Sequence, residues 1–203
     1  MDSYDFIIVG GGSAGCVMAS RLSEDPNITV CLLEAGGKDT SPFIHTPVGV
    51  VAMMPTKLNN WAFETVKQPG LNGRKGYQPR GKTLGGSSSI NAMMYARGHR
   101  YDYDTWQSLG NIGWDYESCL PYFKKAENNE VHQDEYHGQG GPLNVANLRS
   151  PSPMLERYLT ACESIGVPRN EDINGAAQFG AMPTQVTQIN GERCSAAKAY
   201  LTP

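Results

Sequence analysis

The sequence predicts an α/β protein whose N-terminal part is a doubly wound domain, with a second packing unit opening near residue 150. Three observations carry this reading. The apolar run Phe6-Ile7-Ile8-Val9 leads straight into Gly10-Gly11-Gly12-Ser13-Ala14-Gly15. A second run, Ile28-Thr29-Val30-Cys31-Leu32-Leu33, follows after one helix length. Far downstream, residues 154, 155, 158, 159, 162 and 165 form an apolar stripe of helical period.

Taken in order, Phe6–Val9 is short, apolar and largely β-branched, as a parallel strand buried on both faces requires. Small and apolar residues from Ser13 to Leu22 suit a helix packed closely on a sheet, and Asp25-Pro26-Asn27 turns the chain into the second strand. Together these make a βαβ unit. The stretch from Gly36 to Arg80 is rich in Gly, Pro, Asn and Thr without clear period, and is expected to be a lid over about residues 37–80. Ser87–Tyr95, Tyr101–Leu109 and Tyr116–Glu127 read as helices, the last with Pro121 kinking or breaking it at Cys119-Leu120. Gly138–Pro142 turns into a short strand at Leu143–Val145, Met154–Ile165 is helical, and Arg193–Leu201 is a further helix candidate. Gln185–Ile189 is strand-forming but has few obvious partners. One βαβ unit with assorted helices does not complete a doubly wound sheet, so the chain is expected to be a fragment of a larger fold.

A chain of 203 residues with formal net charge -3 and its charges dispersed offers no electrostatic case for a nucleic-acid partner. The five cysteines, Cys16, Cys31, Cys119, Cys162 and Cys194, lack C-x-x-C spacing, and their odd number fits a reducing compartment. No basic n-region followed by an h-region is visible, and no stretch reaches the roughly 20 apolar residues of a spanning helix. Membrane association would be peripheral.

The first glycine cluster matches G-x-G-x-x-G between a strand and a helix, the context that gives the motif meaning. Gly10 permits the tight turn, Gly12 lets backbone approach a pyrophosphate, and Gly15 lets helix and strand pack closely. The helix start at Ser13 offers free N–H groups and partial positive charge to the anion. Glu34, 19 residues after Gly15, stands where a carboxylate accepts hydrogen bonds from ribose hydroxyls. A dinucleotide is implied, though this motif alone does not separate FAD from NAD.

A second glycine-rich segment follows: Arg80-Gly81-Lys82-Thr83-Leu84-Gly85-Gly86-Ser87-Ser88-Ser89-Ile90-Asn91. An NAD-binding domain has no need of it. The run from Gly81 to Asp104 resembles the first signature of the glucose-methanol-choline (GMC) flavoproteins. The likeness extends through Gly36-Gly37, Asn60-Trp61, Gly113-Trp114, Leu120–Lys124, His137–Leu143 and Arg193–Ala197, with choline dehydrogenases and bacterial aliphatic alcohol dehydrogenases the nearest kinds. The resemblance implies a Rossmann-like FAD-binding domain over 1–150 and the beginning of a substrate-binding domain over 151–203. It implies that Gly10, Gly12, Ser13, Gly15 and Glu34 hold the ADP half of FAD. Arg80, Leu84, Gly85, Gly86, Ser87, Asn91 and Met93 would line the pyrophosphate and flavin end. Members with covalent FAD often carry a histidine beside the Asn of this segment; here it is Ile90, so FAD is expected to be non-covalent.

The implied activity is oxidation of a primary alcohol, choline or aliphatic, to the aldehyde by hydride transfer to flavin N5. The electron acceptor would be a quinone or the respiratory chain, and the protein cytoplasmic, with association at the cytoplasmic face of the inner membrane as a further expectation. The histidine pair or His/Asn pair that the family uses lies in its C-terminal part, so no catalytic residue is assigned and the fragment alone is expected to be inactive. Two alternatives stand: an oxygen-using oxidase of the same family, and a non-catalytic or NAD-dependent dinucleotide module. His45, His99, His132 and His137 have the spacing of neither a metal cluster nor a nucleophile-base pair, and no metal is expected. Ser195-Ala196-Ala197-Lys198 matches S-x-x-K but lacks its companion motifs and is read as helix surface. Trp61, Trp106 and Trp114 are read as core or lid packing, and Arg97, His99 and Arg100 as a solvated basic patch.

Overall fold

In the computed structural model, which describes residues 3–202, the chain runs β1 (Phe6–Val9), α1 (Ser13–Leu22), β2 (Val30–Leu33), α2 (Pro42–His45), α3 (Val50–Met53), β3 (Phe63–Glu64) and β4 (Tyr77–Gln78). It continues through α4 (Arg100–Ser108), α5 (Tyr116–Ala126), β5 (Glu127–Asn129), β6 (Leu143–Val145), α6 (Met154–Ser164), β7 (Gln188–Ile189), β8 (Glu192–Arg193) and α7 (Ala196–Tyr200). Packing divides it into two compact units. One runs to Met93 and resumes at Asn190; the other is Met94–Ile189. Neither edge falls at residue 150, the boundary read from the sequence.

In the first unit β1 and β2 pair in parallel, Phe6 against Val30 through Val9 against Leu33. The Asp25 side chain accepts the Asn27 amide at 2.9 Å and shapes the turn into β2. Helix α1 buries Gly15, Cys16 and Ala19, and Gly15 is obligatory there: an added Cβ would lie 1.9 Å from the Gly10 carbonyl oxygen. Ile8 faces the helix. Alternation then turns Ile7 and Val9 the other way, where they are 63% and 85% exposed, so the strand expected to be buried on both faces is covered on one.

The segment expected to be a lid folds into short elements, and part of it is core. Ile44 of α2 and Met53 of α3 are fully buried in a cluster with Ile90. Beyond them β3 and β4 form an antiparallel hairpin, Phe63 opposite Gln78. Buried Asn60 fastens the two parts. Its Nδ2 donates to the carbonyls of Met53, Met54 and Thr56 and to the Tyr77 hydroxyl, and its Oδ1 accepts the Ala62 and Arg80 amides.

The helix expected over Ser87–Tyr95 does not form. A single 3-10 turn spans Gly86–Ser89, because Ser88 and Ser89 hydroxyls donate back to the Gly85 and Leu84 carbonyls at 2.6 and 2.7 Å. Asn91 Oδ1 accepts the Met93 amide, and Met93 is left-handed at φ 63°. Helix α7 is shorter than expected and starts at Ser195, whose hydroxyl accepts the Lys198 amide at 3.1 Å. The Lys198 ammonium pairs with Glu192 at 2.7 Å, so this S-x-x-K is a helix cap and not a nucleophile-base pair.

In the second unit, α4 and α5 share an aromatic face in which Tyr103 meets Trp106, Tyr116 and Phe123, and Trp106 meets Trp114. Asp115 caps α5 by accepting the Ser118 amide, and the helix continues through Pro121, which excludes the break but not the kink named as the other expectation. Strands β5 and β6 pair in parallel. The strand-forming segment at 185–189 does find partners: the Gln185 carbonyl accepts the Tyr95 amide, and Val186 bridges Met94 and Ala146. On α6 only half the apolar stripe is used, with Leu159 buried while Met154, Tyr158 and Ile165 face water.

Candidate functional site

Helix α1 begins on Gly12 with no side chain capping it and no acid in its first turn, so its amide groups and positive end are open. Gly10, at φ 99°, makes the turn that brings the helix start there. Against this loop lies the second glycine segment, more than seventy residues on in the chain. The Gly85 amide donates to the Gly11 carbonyl at 2.7 Å. A Cβ on Gly86 would fall 2.7 Å from Gly12 Cα, and one on Gly11 would fall 2.9 Å from Leu84 Cδ2. The two glycine segments are therefore back to back, at a separation that side chains would forbid.

Where they meet, a cleft of about 630 Å³ opens, lined by Gly10, Gly12 and Glu34 on one side and by Arg80, Gly81, Gly86 and Ser87 on the other. That volume suits a small-molecule site. Trp61 and Phe63, stacked at 5.5 Å, form a further wall, and Lys82 stands over the Trp61 ring at 4.3 Å. The Glu34 carboxylate ties the site to the strand end: Oε2 accepts the Gly11 amide and Oε1 the Gly36 amide, both at 2.7 Å. Each oxygen keeps a further lone pair for a donor such as a hydroxyl. Above Gly12 the cleft is open, since an added Cβ would meet nothing within 4 Å.

The profile of the GMC oxidoreductase family matches residues 4–203. The chain belongs to the GMC oxidoreductase family. It is 49% identical over 199 residues to an alcohol dehydrogenase [acceptor] of Pseudomonas putida, covering 98% of this chain and 36% of the relative. It is 47% identical over 201 residues to the oxygen-dependent choline dehydrogenase of Vibrio vulnificus, again 98% of this chain and 36% of the relative. Among solved structures, pyridoxine 4-oxidase from Mesorbium loti superposes with a TM-score of 0.92 at 38% identity, over 98% of this chain and 39% of that one. The chain thus spans just over a third of the length of these proteins, and the expectation of a fragment of a larger fold accords with that share.

Of the residues that the GMC resemblance singled out, Gly10, Gly12, Glu34, Arg80, Gly86 and Ser87 line the cleft. Ser13 is exposed in the first turn of α1. Gly15 is buried beneath Gly10, and Leu84 and Gly85 pack behind the cleft on Gly11. Asn91 and buried Met93 lie apart from its lining, the Asn91 side chain engaged with Arg193 and with the Met93 amide. Phe63, which lines the cleft, was missed, because a two-residue strand gives no periodic signal.

In the second unit of this GMC chain the expectation that Arg97 is solvated is overturned. Arg97 is buried, as is His137, and the reason is an alternating ion chain. Arg97 pairs with Glu127; His137 Nδ1 meets Glu127 Oε1 at 3.0 Å and its Nε2 meets Asp172 Oδ2 at 2.8 Å. Burial opposes the charge on His137, but hydrogen bonds to Asp172 and Glu127 outweigh it and raise its pKa to about 9. Glu127 and Asp172 are lowered despite their burial, through hydrogen bonds from His137 above all. His99 caps α4 by accepting the Tyr101 amide, and Arg100 pairs with Glu117. His132, Asp134 and Asp172 place their ligand atoms within 4.8 Å of one another. Asp134 Oδ1 and both Asp172 oxygens are, however, engaged with the Tyr136, His137 and Asn174 amides and the His137 ring.

Proposed function

We propose that this chain binds FAD non-covalently and forms the cofactor-binding part of an enzyme that oxidises the CH–OH group of a primary alcohol, choline or aliphatic, to the aldehyde. The observation that carries the reading is the single cleft in which both glycine segments, the uncapped start of α1 and Glu34 converge. An NAD site would use the first glycine loop alone, whereas here the second is packed against it. The site fits a dinucleotide. Gly10, Gly12 and Ser13 would hold the pyrophosphate at the helix start, with Gly15 letting α1 approach, and Glu34 would hold the ribose. Arg80, Leu84, Gly85, Gly86, Ser87, Asn91 and Met93 would shape the flavin end, six of these twelve residues lining the cleft and the rest standing behind or beside it.

When bound, FAD supplies the hydride acceptor at N5. Trp61 and Phe63 would exclude water from one wall of its site. Ile90 is buried among Ile44 and Met53 and has no nucleophile, which supports non-covalent attachment. The base for the hydroxyl proton is assigned to no residue of this chain. The Pseudomonas relative is named for an acceptor and the Vibrio relative for oxygen; a quinone or respiratory-chain acceptor is the reading taken, with oxygen the alternative, separated by peroxide release during turnover. No helix among the described residues is long and apolar enough to cross a membrane, and the proposed location is the cytoplasm, with peripheral contact at the inner membrane. The test is the absorption spectrum before and after acid precipitation, with FAD added if the protein is colourless. A flavin band released to the supernatant is expected; no band and no uptake of added FAD would overturn the proposal.

A further inference from the structure

Arg193 is the largest fully buried side chain among the described residues, and it forms no ion pair with an acid among the described residues of its unit. Its Nε donates to the Ile44 carbonyl at 2.8 Å, and Nη1 donates to the Ser88 carbonyl at 3.0 Å and to Asn91 Oδ1 at 2.8 Å. Nη2 is buried with no hydrogen-bond partner among the described residues. All its acceptors are neutral. Burial lowers its pKa to about 10 with no neighbouring charge acting in the opposite sense, so it stays cationic at neutral pH. A buried cation without a counter-charge is costly, and the contrast within this chain is direct: Arg97, also buried, is paired with Glu127. Two of the three acceptors, Ser88 and Asn91, belong to the segment whose Gly86 and Ser87 line the cleft, and the Ala196 amide ties α7 to the Ser88 hydroxyl at 2.9 Å behind it.

We infer that Arg193 is a positioning residue for an anionic cofactor: it fixes Ser88 and Asn91 of the second glycine segment and sets an uncompensated positive charge behind that segment, answered by the negative charge of the bound dinucleotide. The inference rests on the FAD reading above and deepens it. Two parts of that ligand can supply the anion, the pyrophosphate or the ring once it is reduced, and they are separable.

The experiment uses the full-length protein with Arg193→Lys and Arg193→Met, each first shown to be folded by circular dichroism and thermal melting in the absence of cofactor. Affinities for FAD, ADP and riboflavin are measured by fluorescence, and the midpoint potential of bound flavin by spectroelectrochemistry. If the pyrophosphate is the counter-charge, Arg193→Met weakens FAD and ADP at least tenfold and leaves riboflavin unchanged. If it is the reduced ring, the potential falls in Arg193→Met. In either case Arg193→Lys recovers part of the effect by keeping the charge. Unaltered affinities and potential in a folded Arg193→Met protein would overturn the inference while leaving FAD binding intact; failure of the wild type to take up flavin would overturn the FAD reading itself. Should Arg193→Met not fold, Arg193→Lys decides alone, a riboflavin affinity reduced as much as that for FAD marking a merely structural role.

Discussion

Gly12→Ala separates a glycine that the fold needs from one that a ligand needs. Gly12 has φ -75° and ψ -168°, a backbone that alanine adopts without strain, and its added methyl would meet nothing within 4 Å. Alanine at an N-cap costs a few tenths of a kcal/mol to about 1 kcal/mol, and the loss of unfolded-chain entropy returns about 0.4–1 kcal/mol. Stability without cofactor should therefore change by less than about 0.5 kcal/mol. The methyl would nonetheless stand in the cleft at the start of α1, where a phosphate approaches. Displacing one charge-assisted hydrogen bond there costs about 1.5–3 kcal/mol, which is roughly a ten- to hundredfold loss of FAD affinity. The contrast is Gly15→Ala, whose methyl would lie 1.9 Å from the Gly10 carbonyl oxygen and which should cost about 2–4 kcal/mol of stability through forced backbone movement. Urea denaturation and flavin-fluorescence titration of both variants supply the measurement. Wild-type FAD affinity in a normally stable Gly12→Ala protein would refute the placement of the phosphate over Gly12.

Stability should also fall as pH rises through about 9, because His137 has a raised pKa; a raised group stabilises fully below its unfolded value and loses that contribution through its folded one. The lowered Glu127 and Asp172 act at the acid end, stabilising above their unfolded pKa values and losing that contribution as pH falls. Melting temperatures from pH 4 to 10 test this, and a His137→Gln variant should lose the alkaline step. Asn60→Ala removes one side chain that serves both α3 and the β3–β4 hairpin and should destabilise by about 2–4 kcal/mol, read by urea denaturation. Glu34→Gln keeps the shape but lets only one of the Gly11 and Gly36 amides be accepted by oxygen, so FAD affinity should drop about tenfold with a stability loss of about 1–2 kcal/mol, checked by the same titration and melts.

What the sequence made legible was local. Phe6–Val9, the glycine turn and α1 are specified within about 20 residues, and the structure follows them. The half of the cleft that Gly10, Gly12 and Glu34 form was readable for the same reason. The other half was identified through Gly81–Asn91, but its shape was not: Ser88 and Ser89 each had the choice of a helix or a bond to a nearby carbonyl, and took the carbonyl. The buried charges were illegible in principle. Arg97 reads as a surface residue until Glu127 arrives 30 positions later, and the histidine spacing gives no sign of Asp172, which meets His137 from 35 positions on. Composition likewise hid the core role of the supposed lid, since Ile44 and Met53 are single apolar residues whose partner, Ile90, lies well beyond it.

The bare side of β1 and β2 has a consequence for handling the 203-residue chain by itself. Ile7 and Val9 stand 63% and 85% exposed on a two-stranded parallel sheet, and an apolar strand face left in water invites association with another copy. The 203-residue chain should therefore aggregate as its concentration rises, and Ile7→Thr with Val9→Thr should suppress this, a difference that light scattering would measure.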